Sequence, residues 1–210
     1  MAESEPWAMV HAERAELARD LAALDDAQWN AGSLCTEFTV REVVAHLTSG
    51  ASLSTVRWMA GVIRHRFDFD AQNAYRQAQQ LGADHGETLE RFRRTVAGTT
   101  KPPVPVAAML GEVVVHGEDI RRPLGIRRDY PIATLTYLAE YFHRSNMTVP
   151  SKRRAEGLRL SATDGPFSGG AQDGAQVSGT TLALIMAMAG RPAYSAELAG
   201  EGAGVLAGRG

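Results

Sequence analysis

His46, Glu112 and His116 are the residues of this chain whose types and spacing could hold a metal ion. His46 lies in Thr39-Val-Arg-Glu42-Val-Val-Ala-His46-Leu; well downstream, Glu112 and His116 stand four apart in Gly111-Glu112-Val-Val-Val-His116-Gly-Glu-Asp119. Residues four apart share a face of a helix and also of a strand, so the pair converges whichever element carries it. Two imidazoles and a carboxylate from two elements can bind a divalent cation and leave one coordination position open. An open position separates a catalytic metal site from a structural one. Zinc suits this donor set best, and nickel and manganese are compatible with it. The plain alternative is a histidine satisfied within the core and a solvated Glu–His pair on a helix surface. The joint occurrence, with Glu112 on a largely apolar element, raises the metal to equal standing with that alternative. Asp119 falls in the last turn of that element, where it opposes the helix dipole and needs a partner. Arg121 or Arg122 is the expected partner, and support of the His116 imidazole is the alternative.

The elements that must position these groups are mainly helical. Thr39 and Glu42 have capping-box spacing, which predicts a helix from Thr39 to about Arg64. Its apolar stripe is Val43, Leu47, Leu53 and Val56, with His46 among them. Leu17, Leu21 and Leu24 give an earlier amphipathic helix over Pro6 to Leu24. Helices are also expected over Asp70 to Leu81, Asp84 to Val96 and Ile132 to Ser145. Val106 to Arg122 carries a Val-Val-Val core that suits a strand as well as a helix; its length and flanking breakers favour helix. Beyond Pro150, Gly157 to Thr163 alternates as a strand does, and Gln176 to Gly179 reads as a second strand. Ser168-Gly-Gly reads as a hairpin or loop. Thr181 to Ala189 reads as an apolar helix stopped by Gly190. The tail from Ser195 is glycine-rich and weakly specified. The expected organisation is a helical domain over 1–150 and a small α+β module over 151–210, joined near Ser151.

Composition narrows the class. The chain has 210 residues, 44% hydrophobic and 22% charged, with a net charge of −2, so no electrostatic feature calls for nucleic acid or an anionic membrane. The uncharged stretch Val177 to Gly190 is too short to span a bilayer. The N-terminal Met-Ala-Glu-Ser-Glu-Pro lacks the basic and apolar regions of a signal peptide, and a cytoplasmic location is expected. Cys35 is the only cysteine, which excludes an intrachain disulfide. It reads as a small buried hydrophobe, since a nucleophile would need a base beside it that the sequence does not locate. There is no HExxH, no Walker phosphate loop and no nucleophile elbow.

Four stretches together resemble a known family. They are Ser33-Leu-Cys-Thr-Glu-Phe through His46-Leu, Glu112-Val-Val-Val-His116-Gly-Glu-Asp-Ile-Arg-Arg-Pro-Leu-Gly125, Leu158 to Asp164, and Val177-Ser-Gly through Arg191. In this order they resemble the mycothiol-dependent maleylpyruvate isomerases of actinobacteria, within the DinB-like four-helix-bundle superfamily. The resemblance implies a DinB-like bundle with a small C-terminal α+β domain, and a metal triad at His46, Glu112 and His116. It further implies mycothiol as thiol cosubstrate and a small electrophilic substrate, with the chain a monomer or homodimer. The expected activity is metal-dependent activation of the thiol, for isomerisation of a maleylpyruvate-like cis-alkene or for thiol transfer. Two alternatives stay open: a metal-dependent hydrolase with Asp119 as general base, and a non-catalytic binding module. Arg191 faces either a substrate carboxylate or a surface salt bridge.

Overall fold

The computed structural model describes residues 4–64 and 68–210; residues 1–3, at the head of the acidic N-terminal stretch, lie outside the described part. Helix α1 (Ser4–Ala22) buries Val10, Leu17 and Leu21 on one stripe, and Arg14 lies on that same stripe. Leu24, counted on this stripe from the sequence, falls beyond the helix. A short turn of helix, α2 (Asp26–Trp29), leads to α3 (Val40–Ser52).

Helix α3 starts where the sequence predicts, because its cap is complete. The Glu42 amide donates to the Thr39 hydroxyl at 3.3 Å, and the Thr39 amide donates to the Glu42 carboxylate at 2.8 Å. The expected run to Arg64 is nevertheless two helices. Leu53 adopts an extended conformation at the end of α3, and α4 (Thr55–Arg64) begins anew with the Trp58 amide on the Ser54 carbonyl. The break puts the apolar stripe out of phase. Leu53 stays buried, whereas Val56 is 79% exposed.

Three further helices complete this part: α5 (Phe69–Gln80), α6 (His85–Arg93) and α7 (Val106–Arg121). Helix α1 packs on α6 and α7, and α3 packs on the same two, closing a circuit of four helices. Helix α5 lies against α3. The Val-Val-Val stretch is helical because α7 is surrounded: Val113, Val114 and Val115 are all buried, and packing on α1 and α3 outweighs the weak β preference of valine.

The remaining elements are α8 (Ile132–Arg144), α9 (Ser151–Arg154), β1 (Leu158–Ala162), β2 (Ser168–Gly170), β3 (Ala175–Gly179), α10 (Thr181–Met188), a 3-10 turn (Pro192–Glu197) and α11 (Ala203–Ala207). The sheet order is β2-β1-β3, with β1 antiparallel to β2 and parallel to β3. Ser168-Gly-Gly is thus the edge strand of a hairpin with β1, the first of its two expected readings. Gly190 ends α10 with a φ of 83°, a left-handed conformation that favours glycine. The tail is held: the Gly202 amide donates to the Gln176 carbonyl at 2.9 Å, and Ser178 pairs with Ala199.

The chain divides into two compact units, one ending at Arg127 and one from Arg128 to Gly210. That division comes earlier than the expected junction near Ser151, because α8 packs against α10 and belongs with the sheet. Among the described residues no helix is long and apolar enough to cross a membrane.

Candidate metal centre

Helix α7 is buried along its length except at Glu112 and His116. One turn apart, these two residues form the single opening in an otherwise enclosed helix, and α3 brings His46 to it. Glu112 Oε2 lies 3.3 Å from His46 Nε2 and 3.5 Å from His116 Nε2. The imidazole rings of His46 and His116 stand nearly edge to face, at 72° with centroids 5.0 Å apart. One ligand atom from each of the three residues falls within 4.8 Å of the others. The structure therefore brings together the three side chains singled out from the sequence.

For Asp119 the structure supports the second of the two expectations: its Oδ2 lies 2.9 Å from Nδ1 of His116, and the residue has no exposed surface. Arg121 Nε donates to Asp20 at 2.7 Å. The reason is helical geometry: three residues after His116, a short carboxylate reaches back to the imidazole of the preceding turn. An ionised Asp119 accepts a hydrogen bond from Nδ1–H and so leaves the lone pair on Nε2, the side facing Glu112, as a metal-binding histidine needs.

A folded loop before α3 supplies the surroundings. Ser33 and Phe38 are joined through the Ser33 amide and the Phe38 carbonyl at 3.0 Å, and the Leu34 amide donates to the Asp119 carbonyl at 2.9 Å. This loop stacks Phe38 on His46, with ring centroids 6.4 Å apart. It also brings Cys35 to α7. Cys35 is half-buried, and its Sγ, a nitrogen of His116 and an oxygen of Asp119 lie within 4.8 Å of one another. The expectation of a buried hydrophobe with no base nearby is corrected on both points.

Electrostatics at His46 run in two directions. Burial lowers its pKa, but the hydrogen bond to Glu112 and the charge of that carboxylate together raise it above the ordinary 6.5. Beside it runs a narrow cleft with about 20 Å³ of free room, reached by Arg14, His46, Gly50, Phe92 and Glu112. Arg14 is not among the residues the sequence singles out, although a charge on the Val10–Leu17–Leu21 face, next to the equally buried Glu13, was a visible signal. Arg191 lies in the second unit, where its Nη1 donates to the Ala189 carbonyl at 3.0 Å.

Fold and site together define a helical-bundle protein that gathers two imidazoles and a carboxylate at one gap in its wall. The chain belongs to the mycothiol maleylpyruvate isomerase family: the model of that family's N-terminal domain matches residues 10–121. The match contains His46, Glu112, His116 and Asp119. Among solved structures, the chain is similar to a mutant of the mycothiol-dependent maleylpyruvate isomerase, with TM-score 0.64, 17% identity, and coverage of 96% of this chain and 93% of that one. It is also similar to a second structure of the mycothiol-dependent maleylpyruvate isomerase, with TM-score 0.56, 19% identity, and coverage of 91% and 90%. At these identities the likeness is one of fold. No curated protein matches the chain.

Proposed function

We propose that this protein is a metal-dependent enzyme that activates mycothiol, or a closely similar small thiol, for attack on a small electrophilic substrate. The observation that carries the reading is the approach of His46, Glu112 and His116 to one point, backed by Asp119 on His116. The donor set suits Zn²⁺, with Ni²⁺ and Mn²⁺ next, and the buried carboxylate behind an imidazole is what such a ligand requires. When bound, the metal lowers the pKa of a thiol from about 8.5, so that the thiolate forms near neutral pH.

The residues divide the work. His46, Glu112 and His116 hold the cation and need not move protons. Asp119 fixes the tautomer and ring plane of His116. Phe38 stacks on one face of His46. With a cis-alkene conjugated to a carbonyl, the thiolate adds to one alkene carbon and the electron pair moves to the carbonyl oxygen. The former double bond rotates, and expulsion of the same thiolate restores the alkene in the trans form. No atom is gained or lost, and the thiol recovers its proton. With a saturated electrophile the same thiolate displaces a leaving group, which is thiol transfer.

Hydrolysis is disfavoured by the placement of Asp119. The carboxylate that would serve as general base is fully buried and engaged with His116 Nδ1. The test is turnover of a maleylpyruvate-like cis-alkene and of a thiol-reactive electrophile, with and without mycothiol and metal. Turnover should require both. Cys35→Ser should retain most of it, because the nucleophile is the bound thiol. Activity that survives both omissions, or that vanishes in the Cys35→Ser protein with metal still bound, would overturn the reading.

A further inference from the structure

We propose that Arg14 forms a carboxylate-binding subsite in the cleft beside His46 and Glu112, and that it takes the carboxylate of the electrophilic substrate. The identity of that substrate rests on the thiol-activation reading; the subsite itself rests on geometry.

All four helices of the circuit line the cleft: Arg14 from α1, His46 and Gly50 from α3, Phe92 from α6, and Glu112 from α7. Arg14 is only 3% exposed. Its Nη1 donates to the carbonyls of Thr95 at 2.9 Å and Gly98 at 3.0 Å, and its guanidinium sits 6.0 Å from the ring centroid of Trp7. Among the described residues, Nε and Nη2 have no hydrogen-bond partner and no carboxylate pairs with the guanidinium. Enclosure alone pulls its pKa down to about 10, so the group stays charged at neutral pH.

A buried charge without a counter-charge is costly, and proteins keep such groups where a partner arrives from outside. Its structural role engages only part of the group. Clasping the turn after α6 uses Nη1 only, and His11 Nε2 already sits 3.2 Å from the Gly98 carbonyl. What remains is a planar pair of donors, the arrangement that fits a carboxylate in bidentate fashion. The free room of about 20 Å³ admits a terminal carboxylate in place of one water, while the rest of the molecule extends toward the half-exposed edges of His46 and Glu112.

The experiment uses the full-length, metal-free protein, so that no cation can bind the probe. Maleate and its dimethyl ester are titrated by calorimetry and by tryptophan fluorescence, with Trp7 beside Arg14 as local reporter. Maleate should bind saturably, the ester should not, and Trp7→Phe should remove the fluorescence change while leaving the heat. Arg14→Gln should weaken maleate by roughly tenfold to a hundredfold, and Arg14→Lys by less. Gly50→Leu should also block the probe with Arg14 intact, because a Cβ at Gly50 meets nothing within 4 Å. Absence of saturable binding, equal binding of ester and acid, or unchanged binding in a folded Arg14 variant would overturn the proposal. If Arg14→Gln fails to fold, Arg14→Lys and the acid–ester comparison decide. The two readings separate in turnover assays. Arg14-dependent maleate binding without thiol-dependent turnover leaves the subsite standing and removes the thiol reading. Thiol-dependent turnover in which Arg14→Lys raises KM equally for acid and ester does the reverse.

Discussion

Helices α7 and α10 are both enclosed by their own units, and they differ in what interrupts the enclosure. In α10 the one residue not buried is Leu182, and Leu184, Ile185, Met186 and Met188 are wholly buried around it. In α7 the interruptions are Glu112 and His116, and behind them Glu118, Asp119 and Arg121 are buried charged groups. An apolar helix earns its place through packing alone. Buried ionisable groups oppose folding unless each is partnered, so a helix that concentrates them has been shaped by something other than stability. The contrast sets a candidate metal centre in the first unit against structural support in α10.

The sharpest way to break that contrast is to remove a ligand. His116→Ala should abolish measurable zinc binding, read as metal content after dialysis, with helical circular dichroism retained. The His116 side chain is 14% exposed and bonded to Asp119, so some stability is lost with it, and the retained helical signal is what identifies the zinc loss as one of coordination. If zinc stays bound at the wild-type level, the candidate centre is not a metal site.

The complementary change is in α10. Leu184→Ala should destabilise the second unit by about 2–5 kcal/mol, from lost burial and the cavity left behind. Zinc affinity should not change. A parallel loss of zinc would show that α10 is not mere support. Smaller in effect is Asp119→Ala, which keeps all three ligands and removes the carboxylate behind His116. Zinc affinity should fall by about 10- to 100-fold, measured by competition with a chelator. An unchanged affinity would return Asp119 to a purely structural role.

The two helices were not equally legible. Thr181 to Ala189 could be read directly, because an apolar run ended by a glycine is a local signal. The Thr39–Glu42 cap was legible for the same reason. The interruption after Ser52 was not: Leu53-Ser54-Thr55 contains neither proline nor glycine, and the break depends on Ser54 capping a new helix. The helical state of Val113 to Val115 is settled by α1 and α3, elements distant in sequence. Asp119 could be read two ways, since arginines follow it as closely as His116 precedes it. Arg14 was visible as a charge on an apolar stripe, but its meaning depends on the turn after α6 and on a cleft that exists only in the folded bundle. The earlier domain division was hidden for a similar reason, since only the packing of α8 on α10 reveals which unit owns it.

The smallest expected effect is also the one that sets the two units directly against each other. In the metal-free protein the pKa of His46 is raised, because Glu112 outweighs burial. A raised histidine contributes stability that is fully present below the unfolded value of about 6.5 and is lost as pH rises through the folded value. His143, in α8, is shifted the other way: burial first, then the charges of Arg144 and Lys152, lower its pKa. Its protonation is opposed by the fold, so the second unit keeps its stability above about pH 6.5 and loses some as pH falls from there toward the lowered value. Acidification should therefore steady the metal-free bundle and weaken the second unit. The two are separable by spectroscopy, because Trp7, Trp29 and Trp58 all lie in the first unit and four of the five tyrosines, all but Tyr75, lie in the second, so that tyrosine absorbance reports mainly on the second. Melting followed by tryptophan fluorescence should shift upward between pH 7.5 and pH 5.5, as far as His46 governs it, while melting followed by tyrosine absorbance shifts downward. His46→Gln should remove the first shift and His143→Gln the second. With zinc bound, the sign in the bundle should reverse, since protons and metal compete for the His46 imidazole. A tryptophan transition that moves the same way with and without zinc would mean that His46 is not where the metal and the proton compete.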